Sequence, residues 1–278
     1  MTENSPTPEQ SYAIYRERRE LAVTMPQGNL ALTNTAWFYG KPGVEEQVWG
    51  VPGWWSTREE GAAGISLRAE ASDGIIVDDV LVDGTVVVRA KNDENPSSIV
   101  FGEGITGFVI VNEEGRYALR VWNAQSEGIA NFGGIDAYAF NPDWVIQATF
   151  TPIEGGRAVG VDHLKDEGKT REKIIPADIS FTHGGVDYSI EAFQEGRALL
   201  LVFSDATSGE ATYSVGRFLM CAPNPDGTIT LDFNRAYLPP CAFNYNFNCP
   251  MPPEANRFSF AIEAGEKNAL NRDGGLLH

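Results

Sequence analysis

Little in this sequence points to nucleic acid, membranes or metals. Lysine is scarce, at six residues against fifteen arginines, and the formal net charge is −17. Such a chain has no broad basic face with which to neutralise a phosphate backbone, so nucleic-acid binding and attachment to anionic lipid are not expected. No run approaches the ~18 apolar residues that a membrane-spanning helix needs. Met1 to Gln10 is polar and acidic, without the basic and apolar regions of a secretory signal, and a cytoplasmic location is expected. The three cysteines, Cys221, Cys241 and Cys249, are too few for a disulfide framework and in a reducing compartment are read as thiols. Cys241 and Cys249 are eight apart, whereas zinc motifs use a spacing of two to four and need four ligands. Histidine is limited to His163, His183 and His278, and nothing places them beside the thiols. No metal or cofactor is therefore expected. A disulfide clamping the loop between Cys241 and Cys249 is an alternative to two buried structural thiols. A Walker loop, a dinucleotide-binding glycine fingerprint and a Gly-x-Ser-x-Gly elbow are all missing.

What is present is strand and turn. The 278 residues are enough to bury a sizeable core. Thr7-Pro-Glu-Gln10 opens a helix: Thr7 caps it, Pro8 takes the first helical position, and Gln10 closes a capping box. The helix continues from Ser11 to Ala22 until Pro26 and Gly28 end it, and Arg16, Arg18 and Arg19 are read as a solvated face. From Leu30 onward short β-branched and aromatic runs alternate with turn signals. Asp83-Gly84, between Val80-Leu-Val82 and Val86-Val-Val88, is the clearest hairpin. Thr212–Met220 and Arg257–Ile262 are read among the later strands. About fourteen or more strands at this spacing predict an all-β fold, an antiparallel sandwich or barrel-like core with an N-terminal helix. The expected layout is a helical segment over 1–27, one β-domain over 28–267 and a flexible tail over 268–278. Four tryptophans, Trp37, Trp49, Trp54 and Trp55, form either a packed corner or a surface for stacking on a sugar ring.

The stretch from Leu231 to Pro253 packs five prolines, two cysteines, four asparagines and five aromatics into 23 residues. That proline density excludes a helix or a central strand, and that aromatic content is foreign to a solvated linker. It is read as an ordered cap across the β-core.

Three motifs carry a resemblance. They are Phe203-Ser-Asp-Ala-Thr-Ser-Gly-Glu-Ala-Thr-Tyr-Ser-Val-Gly-Arg217, Leu231-Asp-Phe-Asn-Arg-Ala-Tyr-Leu-Pro-Pro-Cys-Ala-Phe243 and Cys249-Pro-Met-Pro-Pro253, the last followed by Asn256-Arg257 and Ala264-Gly-Glu-Lys267. Together they resemble the DUF1684 family, a bacterial and archaeal group without an assigned function. The likeness is strong over about residues 200–267 and looser from the helix through Trp37 to Gly40. The family's mid-chain Arg followed three residues later by Asp is Arg120-Val-Trp-Asn123 here, so the acid is replaced by Asn. Asn keeps an acceptor, which suits binding better than proton transfer. The resemblance implies a shared fold and site and supplies no reaction.

Asp205, Tyr213 and Arg217 lie within one motif, and Asp232, Asn234 and Tyr237 on the next hairpin. Tyr213, Val215 and Arg217 are expected to alternate onto one strand face, bringing Arg217 toward Asp232 or Asn234. That grouping is either an ion pair holding the cap or the floor of a polar pocket. The first functional hypothesis is a binding module for a small polar or sugar-like molecule, with Arg120, Tyr213, Arg217, Asp232, Asn234, Tyr237 and Cys241 as ligand-binding candidates. The second is a hydrolase or isomerase using Asp205 or Asp232 as catalytic acid or base with Arg217. The third is a structural or partner-binding role.

Overall fold

The structure, a computed structural model, describes residues 6–277. Met1–Ser5, the start of the polar segment read above, and His278, weighed above as a metal partner, lie outside the described residues. The chain is all-β with an N-terminal helix: eighteen strands occur among the described residues. All pairings between these strands are antiparallel. Where one β-domain was expected over 28–267, the chain forms two compact units, Leu21–Ala130 and a second made of Met1–Glu20 with Asn131–His278.

The first unit holds β1 (Leu32–Trp37), β2 (Trp54–Thr57), β3 (Ile65–Ala69), β4 (Ile76–Val77), β5 (Val80–Leu81), β6 (Gly84–Val88), β7 (Ile99–Gly102), β8 (Ile105–Val111) and β9 (Tyr117–Asn123). They make a six-stranded sheet in the order β1-β9-β8-β7-β4-β5 and a three-stranded sheet β2-β3-β6. Alternation decides which side chains go inward. Ile65 and Leu67 of β3 point into one apolar cluster with Trp55, Val88, Val109 and Leu119, all fully buried. Each such aliphatic side chain contributes roughly 1.5–3 kcal/mol by leaving water.

The hairpin expected at Asp83-Gly84 is not formed. Val80–Leu81 turns back on Ile76–Val77 through Asp78 and Asp79, both at positive φ (51° and 65°), as a two-residue mirror-image turn requires. Asp78 tolerates that backbone because its carboxylate accepts from Ser98 N (2.9 Å), Ser97 Oγ (3.0 Å) and Arg89 (2.7 Å). Gly84 instead opens β6, whose Val88 is buried opposite Ile65 of β3. Burying Val88 selects that register. Of the four tryptophans, Trp55 is core, whereas Trp49 stays 78% exposed. Trp54 lies beneath the Arg68 guanidinium, 5.8 Å from its ring centre.

The second unit holds β10 (Phe132–Ala137), β11 (Val145–Asp162), β12 (Thr170–His183), β13 (Val186–Ile190), β14 (Ala192–Glu195), β15 (Ala198–Phe203), β16 (Arg217–Cys221), β17 (Thr228–Asp232) and β18 (Glu266–Asn271). Its sheets are β13-β12-β11-β17, β14-β15-β16 and the pair β10-β18. Inward residues of the two larger sheets, among them Ile179, Leu201, Leu219 and Leu231, meet an aromatic layer of Trp144, Phe203, Phe233 and Phe258. Thr212 makes only an isolated bridge with Ser208 and Tyr213–Gly216 is a turn, so the strand expected from Thr212 begins only at Arg217. Arg257–Ile262 is an extended arm tied to Ser204 and Ala206 without a regular ladder. The flexible tail expected from 268 is not seen among the described residues: β18 runs to Asn271 against β10, and the chain then turns back so that Leu277 N–H donates to the Ala269 carbonyl at 2.9 Å.

The helix, Pro8–Thr24, starts as the sequence predicts: Thr7 N–H donates to Gln10 Oε1 (2.9 Å) and Gln10 N–H to Thr7 Oγ1 (3.2 Å). Its arginine face is solvated only at Arg18. Arg16 donates to the Ile135 carbonyl, and Arg19 reaches Glu266. Tyr12 Oη donates to the Tyr138 carbonyl at 2.8 Å and Tyr15 Oη to the Arg235 carbonyl at 2.9 Å. Polar anchors, more than an apolar stripe, attach this segment to its unit.

Candidate functional site

Arg217 opens β16 and is fully buried. The preceding turn brings it there. Gly216 has φ 105°, and a Cβ at that position would stand 2.3 Å from the Phe203 carbonyl oxygen, so only glycine lets the chain approach β15 so closely. The Arg217 guanidinium donates to Asp205 Oδ2 (2.9 Å) and to the carbonyls of Ile262 (2.9 Å), Ala264 and Glu266 (3.3 Å). Burial pushes this group below the ordinary arginine value, and the Asp205 charge opposes that shift.

Asp205 is equally committed. Its Oδ1 accepts from Thr207 N–H (3.2 Å), Thr207 Oγ1 (2.7 Å) and Ser208 Oγ (3.3 Å), and its Oδ2 accepts from Ile262 N–H at 2.7 Å. The Asp-Ala-Thr-Ser run is thus a side-chain-stabilised turn that fixes the 205–212 loop. A carboxylate already engaged by five donors has little room to accept a further hydrogen bond from a substrate.

The expected meeting of Arg217 with Asp232 or Asn234 does not occur, because Tyr213–Gly216 is a turn and gives no alternating strand face. Asp232 pairs with Arg235 at 3.3 Å and accepts from Asn234 N–H (3.2 Å), capping the short helical turn Phe233–Arg235. Asn234 is buried and holds another loop: its Oδ1 accepts from Asn141 N–H (2.8 Å) and its Nδ2 donates to the Asn141 carbonyl (2.9 Å). Arg120 sits on β9 of the first unit, where it faces Thr35 of β1 and Phe108 of β8 in the pairing register.

Three of the predicted residues do come together. Tyr213, Tyr237 and Cys241 pack into one cluster with Cys249, Phe218 and Phe247. The cap builds it. Pro240–Ala242 forms a short helical turn, and Tyr237 pairs with Phe218 of β16 through both backbone groups, at 2.8 and 2.9 Å. The far end of the cap is pinned to the β11–β12 ribbon by Leu164 N–H to the Cys249 carbonyl (3.0 Å) and Met251 N–H to the Asp162 carbonyl (2.8 Å). Tyr213 and Tyr237 are half-buried, and burial raises both phenols, Tyr237 to about 12. Cys241 accepts hydrogen bonds from the Cys249 thiol and the Tyr213 hydroxyl, which hold it below the ordinary thiol value. Cys249 is pushed up by the proton it shares with Cys241 and by burial.

Sequence reasoning missed the partner that secures the helix. Glu266 is fully buried and takes Arg19 in a two-pronged pair, Nε to Oε1 at 2.7 Å and Nη2 to Oε2 at 3.2 Å, while Leu238 N–H donates to Oε2 at 2.7 Å. Arg19 also lies over the Tyr237 ring, 4.8 Å from its centre. Asn256, also fully buried, was passed over: it accepts from Glu191 N–H (2.9 Å) and donates to the carbonyls of Glu191 (2.7 Å) and Val202 (2.8 Å). The available signal for Glu266 was a carboxylate following the small pair Ala264-Gly265, whereas Asn256, between Ala255 and Arg257, carried none.

Among the described residues no group of three or more His, Cys, Asp or Glu could hold a metal ion, and no helix is long and apolar enough to cross a membrane. No curated protein matches the chain. Residues 130–267 match the model of a family described as "Protein of unknown function (DUF1684)". The solution NMR structure of an uncharacterized protein of Haloarcula marismortui is similar at 36% identity, covering 49% of this chain and 77% of that one, with a TM-score of 0.40. On the family match, the chain belongs to the DUF1684 family through residues 130–267.

Proposed function

We propose that the second unit binds a small polar or sugar-like molecule at the cap, with Tyr213, Tyr237 and Cys241 as contacts. The supporting observation is their convergence: two half-buried tyrosines beside Phe247, around a thiol, on a loop fastened at both ends. Aromatic faces with polar tips bind ligands that are themselves part apolar and part polar. Arg217, Asp232 and Asn234 hold the loops that carry these residues and make no ligand contact in this reading. The hydrolase or isomerase reading has less support, since Asp205 is saturated with donors and Asp232 is bound to Arg235 and its own turn. Binding without a nucleic-acid partner agrees with the net charge of −17.

Thermal-shift screening against monosaccharides and polar metabolites tests this, because a ligand of the folded state raises the unfolding midpoint by mass action. A hit should lose its shift in Tyr213→Phe and Tyr237→Phe together. A hit that keeps its full shift in that double variant places binding elsewhere. A screen without any hit removes the binding reading.

A further inference from the structure

We propose that Cys241 and Cys249 are an oxidant-reactive dithiol that closes to a disulfide on reaction with a hydroperoxide. The two residues are eight positions apart, and the backbone N–H of Cys241 donates to Cys249 Sγ at 3.3 Å. Cys241 Cα therefore lies within about 4.8 Å of the Cys249 sulfur, a separation compatible with a disulfide. Both anchors are fixed, Cys241 in its helical turn and Cys249 by the hydrogen bond its carbonyl accepts from Leu164 N–H in the loop that joins β11 to β12. The surroundings differentiate the two sulfurs. Tyr213 Oη and the Cys249 thiol both donate to Cys241, and the Lys165 ammonium, bonded to the Tyr245 carbonyl, adds positive charge nearby. Cys241 is thus the nucleophile and Cys249 the resolving thiol. Both are buried, but the chain between them is a thin cover: Tyr245 is 68% exposed, and Asn244, Asn246, Phe247 and Asn248 are half-exposed.

The Cys241 thiolate attacks one peroxide oxygen, the O–O bond breaks, and the departing hydroxide takes a proton to become water. This leaves a sulfenic acid on Cys241. The Cys249 sulfur then attacks the Cys241 sulfur, the S–O bond breaks, and the hydroxyl leaves as water with the Cys249 proton. Two thiols lose two electrons and one hydrogen peroxide becomes two waters. Cys221 is the internal contrast. It is buried on β16, donates to the Leu199 carbonyl, and burial alone pushes its thiol up to about 12.

The test is made on the whole chain without ligand, so its result is separable from the binding reading. Native protein is exposed to hydrogen peroxide, quenched, unfolded, and its thiols titrated and mapped by mass spectrometry. The titre is expected to fall from three thiols to one, with loss of two hydrogens in the 241–249 peptide and Cys221 intact. In Cys249→Ser, dimedone is expected to label Cys241. If the native wild-type chain keeps three thiols under an exposure that oxidises it in urea, or if dimedone marks Cys221 rather than Cys241 in Cys249→Ser, the proposal fails. The wild-type titration decides the matter should the variant not fold.

Discussion

The two units are stabilised by different means. The Leu21–Ala130 unit rests on a plain apolar cluster in which Trp55, Ile65, Leu67 and Val88 bury their side chains. The second unit has such a cluster too, but it also buries Arg217 with Asp205, Glu266 with Arg19, and the amides of Asn234 and Asn256. Apolar burial is tolerant: losing part of a side chain leaves a cavity that neighbours relax around. A buried charge network is not, since deleting one member strands another in a low-dielectric interior. The second unit therefore gains unique geometry for its loops at the risk of steep loss when any member is removed.

Arg217→Ala should give the largest effect, about 3–5 kcal/mol, because it leaves the Asp205 carboxylate buried without its cation. Denaturant unfolding measures it. Replacing Asp205 as well should not restore stability, since Ile262 N–H, Thr207 and Ser208 would then lack their acceptor. Full recovery in the double variant would reduce the network to a simple pair. Leu67→Ala in the first unit should cost about 2–5 kcal/mol as a cavity, with the second unit's near-ultraviolet signal unchanged. Coincident loss of both signals would mean that the units unfold as one. Glu266→Gln should cost about 2 kcal/mol and speed hydrogen exchange in the helix from Tyr12 to Arg19, because a charge-assisted pair becomes a neutral one. Unchanged exchange would mean the tyrosine anchors suffice. Thr7→Ala should cost only about 1 kcal/mol, the value of a cap, visible in helix circular dichroism.

The smallest effect is one of pH. Burial, followed by the Arg171 charge, lowers His163 below its ordinary value, while Asp166 at 4.0 Å and the Val161 carbonyl oppose the shift. As pH falls below about 6.5 the unfolded chain takes up this proton before the folded one. The stabilisation is therefore complete above that pH and is lost as pH falls toward the depressed folded-state value. His163→Gln should flatten the melting midpoint across that window, and a wild-type midpoint that is already flat there would contradict the assignment.

What could be read in advance follows the same division. Strand alternation, the Thr7–Gln10 box and the proline-rich cap are local patterns, and local physics sets them. The Asp83-Gly84 hairpin misled because Asp78-Asp79 supplies the same left-handed backbone with its own hydrogen bonds, and burying Val88 selects the partner strand. Arg16 and Arg19 read as surface because charge on a helix normally is. Their acceptors, Ile135 and Glu266, lie 119 and 247 positions away, and no short-range pattern announces contacts of that length. The site was legible in part for the same reason: Tyr237 and Cys241 share one motif, whereas Arg217, expected to meet Asp232 or Asn234 from a strand face, pairs with Asp205 instead.

The long separation between Arg19 and Glu266 bears on how the chain is made. During translation the helix emerges before its carboxylate partner, which follows 247 residues later. The intervening Leu21–Ala130 stretch can collapse meanwhile, because its cluster draws only on residues already synthesised. On the ribosome the early helix is thus left waiting, its arginines hydrated, until the closing strand arrives to take them in.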